Sequence, residues 1–309
     1  AGAARAQPRG RPRQGGPRPA RRALRPMTPD GPDATPWRRF RRSRAAVGAA
    51  WFLAFVALVC ALSPWIAPYP YMKQDLAASA QAPSAAHWFG TDLLGRDVLS
   101  RVMQGGLISI SVGLLATAVA LVFGVLYGAV AGELGGAWER LMMRAVDILS
   151  TLPLTLIVIL CMVVFGQNVW MIFLAVGMVS WLTMARIVCT ETGALKARQF
   201  VEASVALGQT RVGVFRRHYL PNLAGLIAVY ATLTVPGVMM LEAFVSFLGL
   251  GVKAPMTSWG QMIKEGADIM EECPWLLLAP SSAFALTLLA LNFLGEGLRD
   301  AFDPRVSRR

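Results

Sequence analysis

Charged residues are scarce in this sequence, and long uncharged runs replace them. Asp, Glu, Lys and Arg make up 16% of the 309 residues, whereas hydrophobic residues make up 55%. A soluble domain usually carries about 25% charged residues. The uncharged runs cover residues 45–72, 102–132, 148–185, 219–241 and 273–295. Since a helix needs about 20 mostly apolar residues to cross a bilayer, the sequence predicts an all-α integral membrane protein.

The sequence also lacks several common catalytic, metal-binding and phosphate-binding motifs. It has two histidines, His87 and His218, and no HExxH, GxSxG or DxDxDG pattern. The four cysteines form neither CxxC nor a Cys/His cluster, so we interpret them as small packing residues. No GxxxxGK(S/T) phosphate-binding loop is present. We therefore predict no catalytic residue, no metal site and no ATP hydrolysis by this chain itself.

Acidic residues are rarer than basic ones, and the basic excess lies at the N terminus. The formal net charge is +12, and residues 1–44 hold 13 of the 30 Lys and Arg but only two acids. No nucleic-acid-binding pattern accompanies them, so no nucleic-acid partner is predicted. Residues 1–36 are rich in Arg, Pro and Gly, which predicts a disordered tail. Either Met27 is the true start or residues 1–26 are a disordered extension, and mass spectrometry of the native N terminus distinguishes the two.

Six apolar spans are predicted inside a transmembrane domain at residues 45–298. The spans cover about residues 45–66, 107–131, 141–165, 170–188, 223–249 and 275–294. With a cytoplasmic N terminus, 25 of the 30 Lys and Arg lie in the cytoplasm, as the positive-inside rule favours. Both termini and the loop at residues 190–222 are then cytoplasmic, and segment 68–105 lies outside. The basic and aromatic segment 37–44 is predicted to lie along the cytoplasmic membrane surface, and residues 299–309 form a cytoplasmic tail.

One acid and three glycines within the spans are candidate functional or packing residues. Glu242 is the one acid deep in a span, where a carboxylate costs about 2.5–3.5 kcal/mol at the bilayer centre. It is either a pathway or gate residue or a structural acid held by hydrogen bonds from a neighbouring helix. Gly124, Gly128 and Gly132 recur every four residues, a spacing typical of a helix face that packs closely on another helix.

The loop at residues 190–222 is too long to be a simple connector between two spans. Connections in helical bundles usually have about 2–8 residues, and this loop holds the densest group of charges outside the N-terminal tail. Apolar residues recur at helical spacing at Ala197, Phe200, Val201 and Val205, and again at Val212, Phe215 and Tyr219. Between these stripes, Gly208 is able to adopt the left-handed conformation that ends a helix. The loop is predicted to form two short helices that dock on another protein.

Part of this loop resembles a motif of bacterial ABC importer permeases. The motif has E-A-A, then G, then a hydrophobic residue before P, and the matching residues here are Glu202-Ala203-Ser204, Gly208 and Leu220-Pro221. Ser204 stands where the family has Ala, a small-for-small exchange. The resemblance implies that residues 202–222 couple transport to separate ATPase subunits. The residues assigned to ATPase coupling are Glu202, Ala203, Ser204, Leu207, Gly208, Arg217, Leu220 and Pro221.

Other segments resemble the C-type subunit of oligopeptide and dipeptide permeases. They are Phe89–Arg101, Gly177–Ile187, Ser246–Gly251, Ser258–Gly260, Pro274–Leu278 and Gly297–Pro304. The resemblance covers about residues 37–305 and implies a type I ABC importer permease fold with six transmembrane helices in a bacterial inner membrane, importing oligopeptides. The partners it implies are a homologous B-type permease subunit, two cytoplasmic ATPase subunits that bind ATP and Mg, and an extracytoplasmic peptide-binding protein.

Two alternatives to an oligopeptide importer stay open. The same architecture could import dipeptides, nickel chelates or antimicrobial peptides, because cargo choice in this class is expected to rest largely with the binding protein. A different class, the independent secondary transporter, predicts an ion-coupling acid near the middle of the membrane and often internal repeats. Glu242 is the one candidate for such an acid, and no convincing repeat is present.

Replacing Gly208 by Pro or Glu202 by Lys is expected to abolish transport while leaving the chain in the membrane. Proline has a fixed negative φ, which is incompatible with a left-handed residue, and Lys reverses the charge at the start of the motif. Peptide uptake and co-purification of ATPase subunits measure the effect. Unaltered uptake and co-purification in both variants would contradict the coupling assignment.

Overall fold

The structure, a computed structural model, describes Gly2 and residues 36–166 and 168–302, and this part of the chain is built from helices. In chain order they are α1 Pro36–Arg42, α2 Arg44–Ala61, α3 Ser63–Ile66, a 3₁₀ turn Leu76–Ala78, α4 Val98–Leu134, α5 Gly136–Thr151, α6 Leu154–Phe165, α7 Val169–Lys196, α8 Gln199–Ala206, α9 Arg211–Val214, a π-helix Phe215–Tyr219, α10 Leu220–Phe247, α11 Trp259–Ala267 and α12 Pro274–Phe302. No β-strand occurs within these described ranges, where a single isolated bridge joins Thr91 and Asp97. The all-α class predicted from the sequence is confirmed.

Five helices are long and apolar enough to cross a membrane, and a sixth span results if α5 and α6 are counted together. The sequence predicts the third span as one helix at residues 141–165, but a 78° bend separates α5 from α6 within it. Pro153 explains the break, because the residue before a proline is driven out of the helical region, and Leu152 is extended with ψ 141°. Alone, the 12 residues of α6 reach only about 18 Å, less than the roughly 30 Å hydrocarbon core.

The second span begins well before the predicted residue, and its first turn is held by buried charges. Asp97 is the N-cap of α4, and its carboxylate accepts the Ser100 N–H at 2.8 Å. The i,i+4 spacing of Asp97 and Arg101 predicts an ion pair between them, but this is wrong. The Arg101 guanidinium, 3% exposed, instead donates to Asp92 Oδ2 at 2.6 Å and to Glu265 Oε2 at 2.8 Å. This cluster joins α4, the segment before it and α11.

The helix pair α4 and α7 forms the most extensive contact between any two elements of the described chain. Gly124, Gly128 and Gly132 lie on the α4 face that meets α7. A Cβ atom added at Gly128 would lie 2.4 Å from the carbonyl oxygen of Ala185, and one at Gly132 would lie 2.6 Å from that of Cys189. Backbone oxygens cannot move aside as a flexible side chain can, so these positions require the absence of a side chain.

The two ends of the described chain meet at one side of the bundle. Phe40 of α1 is buried against Ala46 of α2 and Ala301 of α12, which places α1 beside the last turn of α12. The cytoplasmic location of this side stays a prediction. Three predictions fall on residues that the structure does not describe. They are the disordered tail at residues 1–36, of which only Gly2 and Pro36 are described, the start at Met27, and the C-terminal tail beyond Phe302.

Replacing Gly128 by Ala is expected to lower the stability of the detergent-solubilised chain, whereas the same change at Gly48 is not. Both glycines lie within helices, so replacing either by alanine stabilises its helix by about 0.5–1 kcal/mol. At Gly128 the new methyl group meets the α7 backbone and adds an overpacking cost of roughly 1–3 kcal/mol, but at Gly48 nothing lies within 4 Å of an added Cβ. Thermal unfolding of the two variants provides the comparison. Equal midpoints would contradict the close α4–α7 packing.

Candidate functional site

The loop between α7 and α10 folds into two short helices with a sharp turn between them, and we call residues 199–219 the elbow. The first helix, α8, ends at Ala206, and Gly208 follows with a φ of +81°. Glycine adopts this left-handed conformation without the steric cost that a Cβ imposes. Thr210 then caps α9, because its side chain accepts the Gly213 N–H. The predicted helix–glycine–helix arrangement is therefore present.

The second half of the elbow is a π-helix, which changes the residues that face inward. The Leu220 N–H donates to the carbonyl of Phe215, five residues earlier. Each such hydrogen bond spans five residues instead of the four of an α-helix, and Val214 and Tyr219, five residues apart, are both 1% exposed. The predicted stripe correctly included Tyr219, but its first member Val212 is 63% exposed. The regular α-helical period assumed for the stripe is the reason for this error.

Apolar side chains fix the elbow to the two helices that pack on each other through glycines. Three buried elbow and α10 residues, Val201, Val214 and Leu223, belong to one core cluster with Val125 and Ala129 of α4 and Met184 and Val188 of α7. In the first predicted stripe Val201 alone is buried, while Phe200 and Val205 face solvent. The buried residues attach the elbow to the α4–α7 pair as a packed unit.

One acid at the end of α4 adds polar ties to this packing. The Tyr219 hydroxyl donates to Glu133 Oε2 at 2.6 Å, and the Lys196 ammonium donates to the backbone carbonyl of Glu133. Glu133 thus contacts the last residue of the π-helix and the last residue of α7 at once. The sequence reasoning missed this role, although Glu133 is the first charged residue after the uncharged run 102–132.

A second group of hydrogen bonds closes the elbow on itself. Ser204 of α8 hydrogen-bonds to the Gln209 side chain in the turn, and its Oγ lies 3.1 Å from Nε2 of His218 in the π-helix. The His218 ring also lies against Phe200, with 5.7 Å between ring centroids. The hydroxyl at Ser204, where the resembling family has Ala, therefore links both halves of the elbow.

The residues assigned to ATPase coupling form one connected and largely exposed segment. Glu202, Ala203, Leu207, Gly208, Arg217, Leu220 and Pro221 are exposed, and Ser204 is half-buried. Leu207 is 89% exposed, at the tip where α8 ends. A side chain of this size loses about 1.5–3 kcal/mol of burial free energy by remaining in water. The tip of the elbow is therefore suited to a protein partner, and its coupling role stays a prediction.

Glu242 is fully buried and its carboxylate is hydrogen-bonded on both oxygens. The Ser246 hydroxyl donates to Oε1 at 2.7 Å, and the Ser109 hydroxyl donates to Oε2 at 3.3 Å. Ser109 Oγ in turn accepts the backbone N–H of Trp259 at 3.1 Å. Glu242 of α10 thus links α4 to the start of α11. These contacts match the structural alternative, while the gate alternative stays a prediction.

Comparison with known proteins identifies relatives along nearly the whole chain. The model of the family described as "binding-protein-dependent transport system inner membrane component" matches residues 124–308. The model described as "N-terminal TM domain of oligopeptide transport permease C" matches residues 34–83.

Three curated relatives illustrate the similarity. The oligopeptide transport system permease protein OppC of Escherichia coli (strain K12) is 47% identical over 262 residues, 84% of this chain and 87% of the relative. The protein of the same name from Haemophilus influenzae is 45% identical over 262 residues, 84% of each chain. The dipeptide transport system permease protein DppC of Bacillus subtilis is 40% identical over 264 residues, 85% of this chain and 82% of the relative.

Replacing Tyr219 by Phe is expected to loosen the elbow from α4 without unfolding the bundle. The change removes a hydrogen bond to a carboxylate, a contact that contributes about 1.5–3 kcal/mol. Amide hydrogen exchange across residues 199–214 should accelerate roughly tenfold or more. Tyr230→Phe is the matched control, because no hydrogen bond of its hydroxyl occurs among the described residues. Equal exchange in both variants would show that the Glu133 contact does not hold the elbow.

Proposed function

This chain belongs to the family of binding-protein-dependent transport system inner membrane components, and we propose that it is the permease subunit of an ATP-driven oligopeptide importer. The chain is a multi-pass protein of the bacterial inner membrane. The oligopeptide cargo is supported by relatives at 45% and 47% identity that are oligopeptide permease proteins. Dipeptides are the second candidate cargo, because a dipeptide permease protein is 40% identical.

The energy for transport enters through the elbow. Separate ATPase subunits bind ATP and Mg and dock on the elbow tip, where Leu207 offers the most exposed large apolar side chain of the described residues. Glu202 and Arg217 lie exposed on the same elbow and provide charges of both signs for this contact. The observation that carries the proposal is that an apolar tip is exposed on an elbow whose opposite face is buried against α4 and α7.

A path for coupling runs from the elbow to the opposite side of the membrane through one helix. Glu133, near the end of α4, holds Tyr219 of the elbow. The 37 residues of α4 extend about 55 Å, and Arg101 in its first turn is ion-paired with Asp92 and Glu265. A rigid displacement of the elbow therefore also moves the ion-paired group of Asp92, Arg101 and Glu265, which we call the outer cluster. Such a connection allows the packed helices to rock as a unit between two arrangements, which is one form of alternating access.

The outer cluster lies on the side where the peptide-binding protein is proposed to dock. Because Arg101 joins Asp92 to Glu265, the outer segment and α11 move together with α4. An extracytoplasmic peptide-binding protein delivers cargo to this side. A homologous B-type permease subunit completes the pathway, since one chain with five or six candidate spans forms only part of the bundle that encloses a peptide.

Reconstitution of the chain with its partner permease, ATPases and binding protein tests the proposal. We expect ATP-dependent uptake of a labelled oligopeptide by the wild type, and strongly reduced uptake with reduced ATPase co-purification for Leu207→Ser. Leu76→Ser is the matched control, because Leu76 is also largely exposed, at 72%, but lies on the predicted outer side. This control should retain the ATPase subunits at the wild-type level.

Several outcomes would count against the proposal. Uptake by the purified chain alone, without ATPases, would favour the independent secondary transporter. Equal ATPase retention by Leu207→Ser and the wild type would place the docking site elsewhere. Uptake of a labelled dipeptide in preference to the oligopeptide would keep the architecture and change the cargo.

A further inference from the structure

An open cleft lies between the C-terminal part of α4 and the second half of the elbow. The cleft has a volume of about 410 Å³ and is almost entirely apolar. One wall is the C-terminal part of α4, which contributes Leu126, Val130 and Leu134, and the other wall is the start of the long helix that continues into α10, which contributes Val212 and Phe215. Four of these five side chains are more than 40% exposed.

The α4 wall of this cleft belongs to a membrane span. Leu126 and Val130 lie in the uncharged run 102–132, and α4 is one of the helices long and apolar enough to cross a membrane. Exposed apolar side chains on such a span are suited to contact lipid hydrocarbon rather than water. The open side of the cleft is therefore accessible to an acyl chain.

Two arginines line the same cleft and are exposed. Arg211 and Arg216 contribute to its lining, and neither takes part in an ion pair among the described residues. Glu133 is the one acid in the lining, and its carboxylate already accepts the Tyr219 hydroxyl. A neighbouring anion would therefore meet two guanidinium groups that lack an acidic partner. Guanidinium groups bind phosphate and carboxylate oxygens through paired N–H donors.

We propose that this cleft binds one acidic phospholipid of the cytoplasmic leaflet. The phosphate group lies near Arg211 and Arg216, and an acyl chain lies along Leu126 and Val130. The combination of an apolar wall at membrane depth and two unpaired cations matches this amphipathic anion. The site goes beyond the transport function, because binding a structural lipid needs neither ATP nor peptide. Since Tyr219 and Phe215 of the elbow line the cleft, an occupied cleft supports the elbow from the membrane side.

Native mass spectrometry of the full chain in mild detergent tests the site. Phosphatidylglycerol, which is anionic, and phosphatidylcholine, which is zwitterionic, are titrated separately with identical acyl chains, so that only the headgroup differs. The wild type is expected to retain one phosphatidylglycerol and to release phosphatidylcholine. Each basic residue near an anionic lipid surface contributes about 1 kcal/mol, so the double variant Arg211→Gln/Arg216→Gln should bind phosphatidylglycerol roughly 30-fold more weakly.

Two further variants separate the site from general surface charge and from the headgroup alone. Arg140→Gln/Arg144→Gln removes two exposed arginines of α5, outside the cleft, and is expected to leave retention unchanged. Val130→Trp places a larger apolar side chain in the cleft without altering its charge, and should weaken retention of phosphatidylglycerol.

Three results would overturn the proposal. The first is equal retention of the two lipids by the wild type, and the second is full retention of phosphatidylglycerol after loss of Arg211 and Arg216. The third is displacement of phosphatidylglycerol by inorganic phosphate at equal concentration, because this would mean that the apolar wall contributes nothing. None of these results bears on ATP-driven peptide uptake.

Discussion

The contacts of Glu133 connect α4, α7 and the elbow at one end of the bundle. Its carboxylate accepts the Tyr219 hydroxyl, and its backbone carbonyl accepts the Lys196 ammonium, so α4, α7 and the elbow meet at one residue. An acid at the end of an apolar span is costly unless it is hydrogen-bonded or solvated. The same contacts that satisfy Glu133 therefore fix the elbow on α4 and α7, as the proposed coupling requires.

Sequence patterns were sufficient for the class of fold and for the position of the elbow, because both depend on local chemistry. Uncharged runs identified the apolar helices, and Gly208 identified the turn. The inward face of the elbow was not predictable by the same means. Val212 was assigned to it on an α-helical period, but the π-helix at Phe215–Tyr219 places Val214 there instead. Apolar spacing presumes α-helical hydrogen bonding, whereas a π-helix joins residue i to residue i+5, and nothing in the local sequence indicated this change.

The ion pairs of Arg101 were also predicted incorrectly from local spacing. Arg101 lies four residues from Asp97, yet it pairs with Asp92 and with Glu265, which is 164 residues away. Asp97 is unavailable because it caps α4 and also contacts His87 at 2.9 Å. Charged groups that are buried are stabilised only by several simultaneous partners. The partner of Arg101 is therefore decided by the docking of α11, a tertiary event.

The arrangement of Glu242 bears on how transport is driven. An acid that couples ion flow must gain and lose its proton or ion as access alternates between the two sides. Glu242 is fully buried, and both of its oxygens accept hydrogen bonds from serines, which is the environment of a residue that holds helices together. The elbow has the opposite character, with an exposed apolar tip and a buried, hydrogen-bonded base. Since the buried acid of the spans is held by hydrogen bonds while the elbow exposes an apolar tip, we expect the driving force to enter from a partner at the elbow.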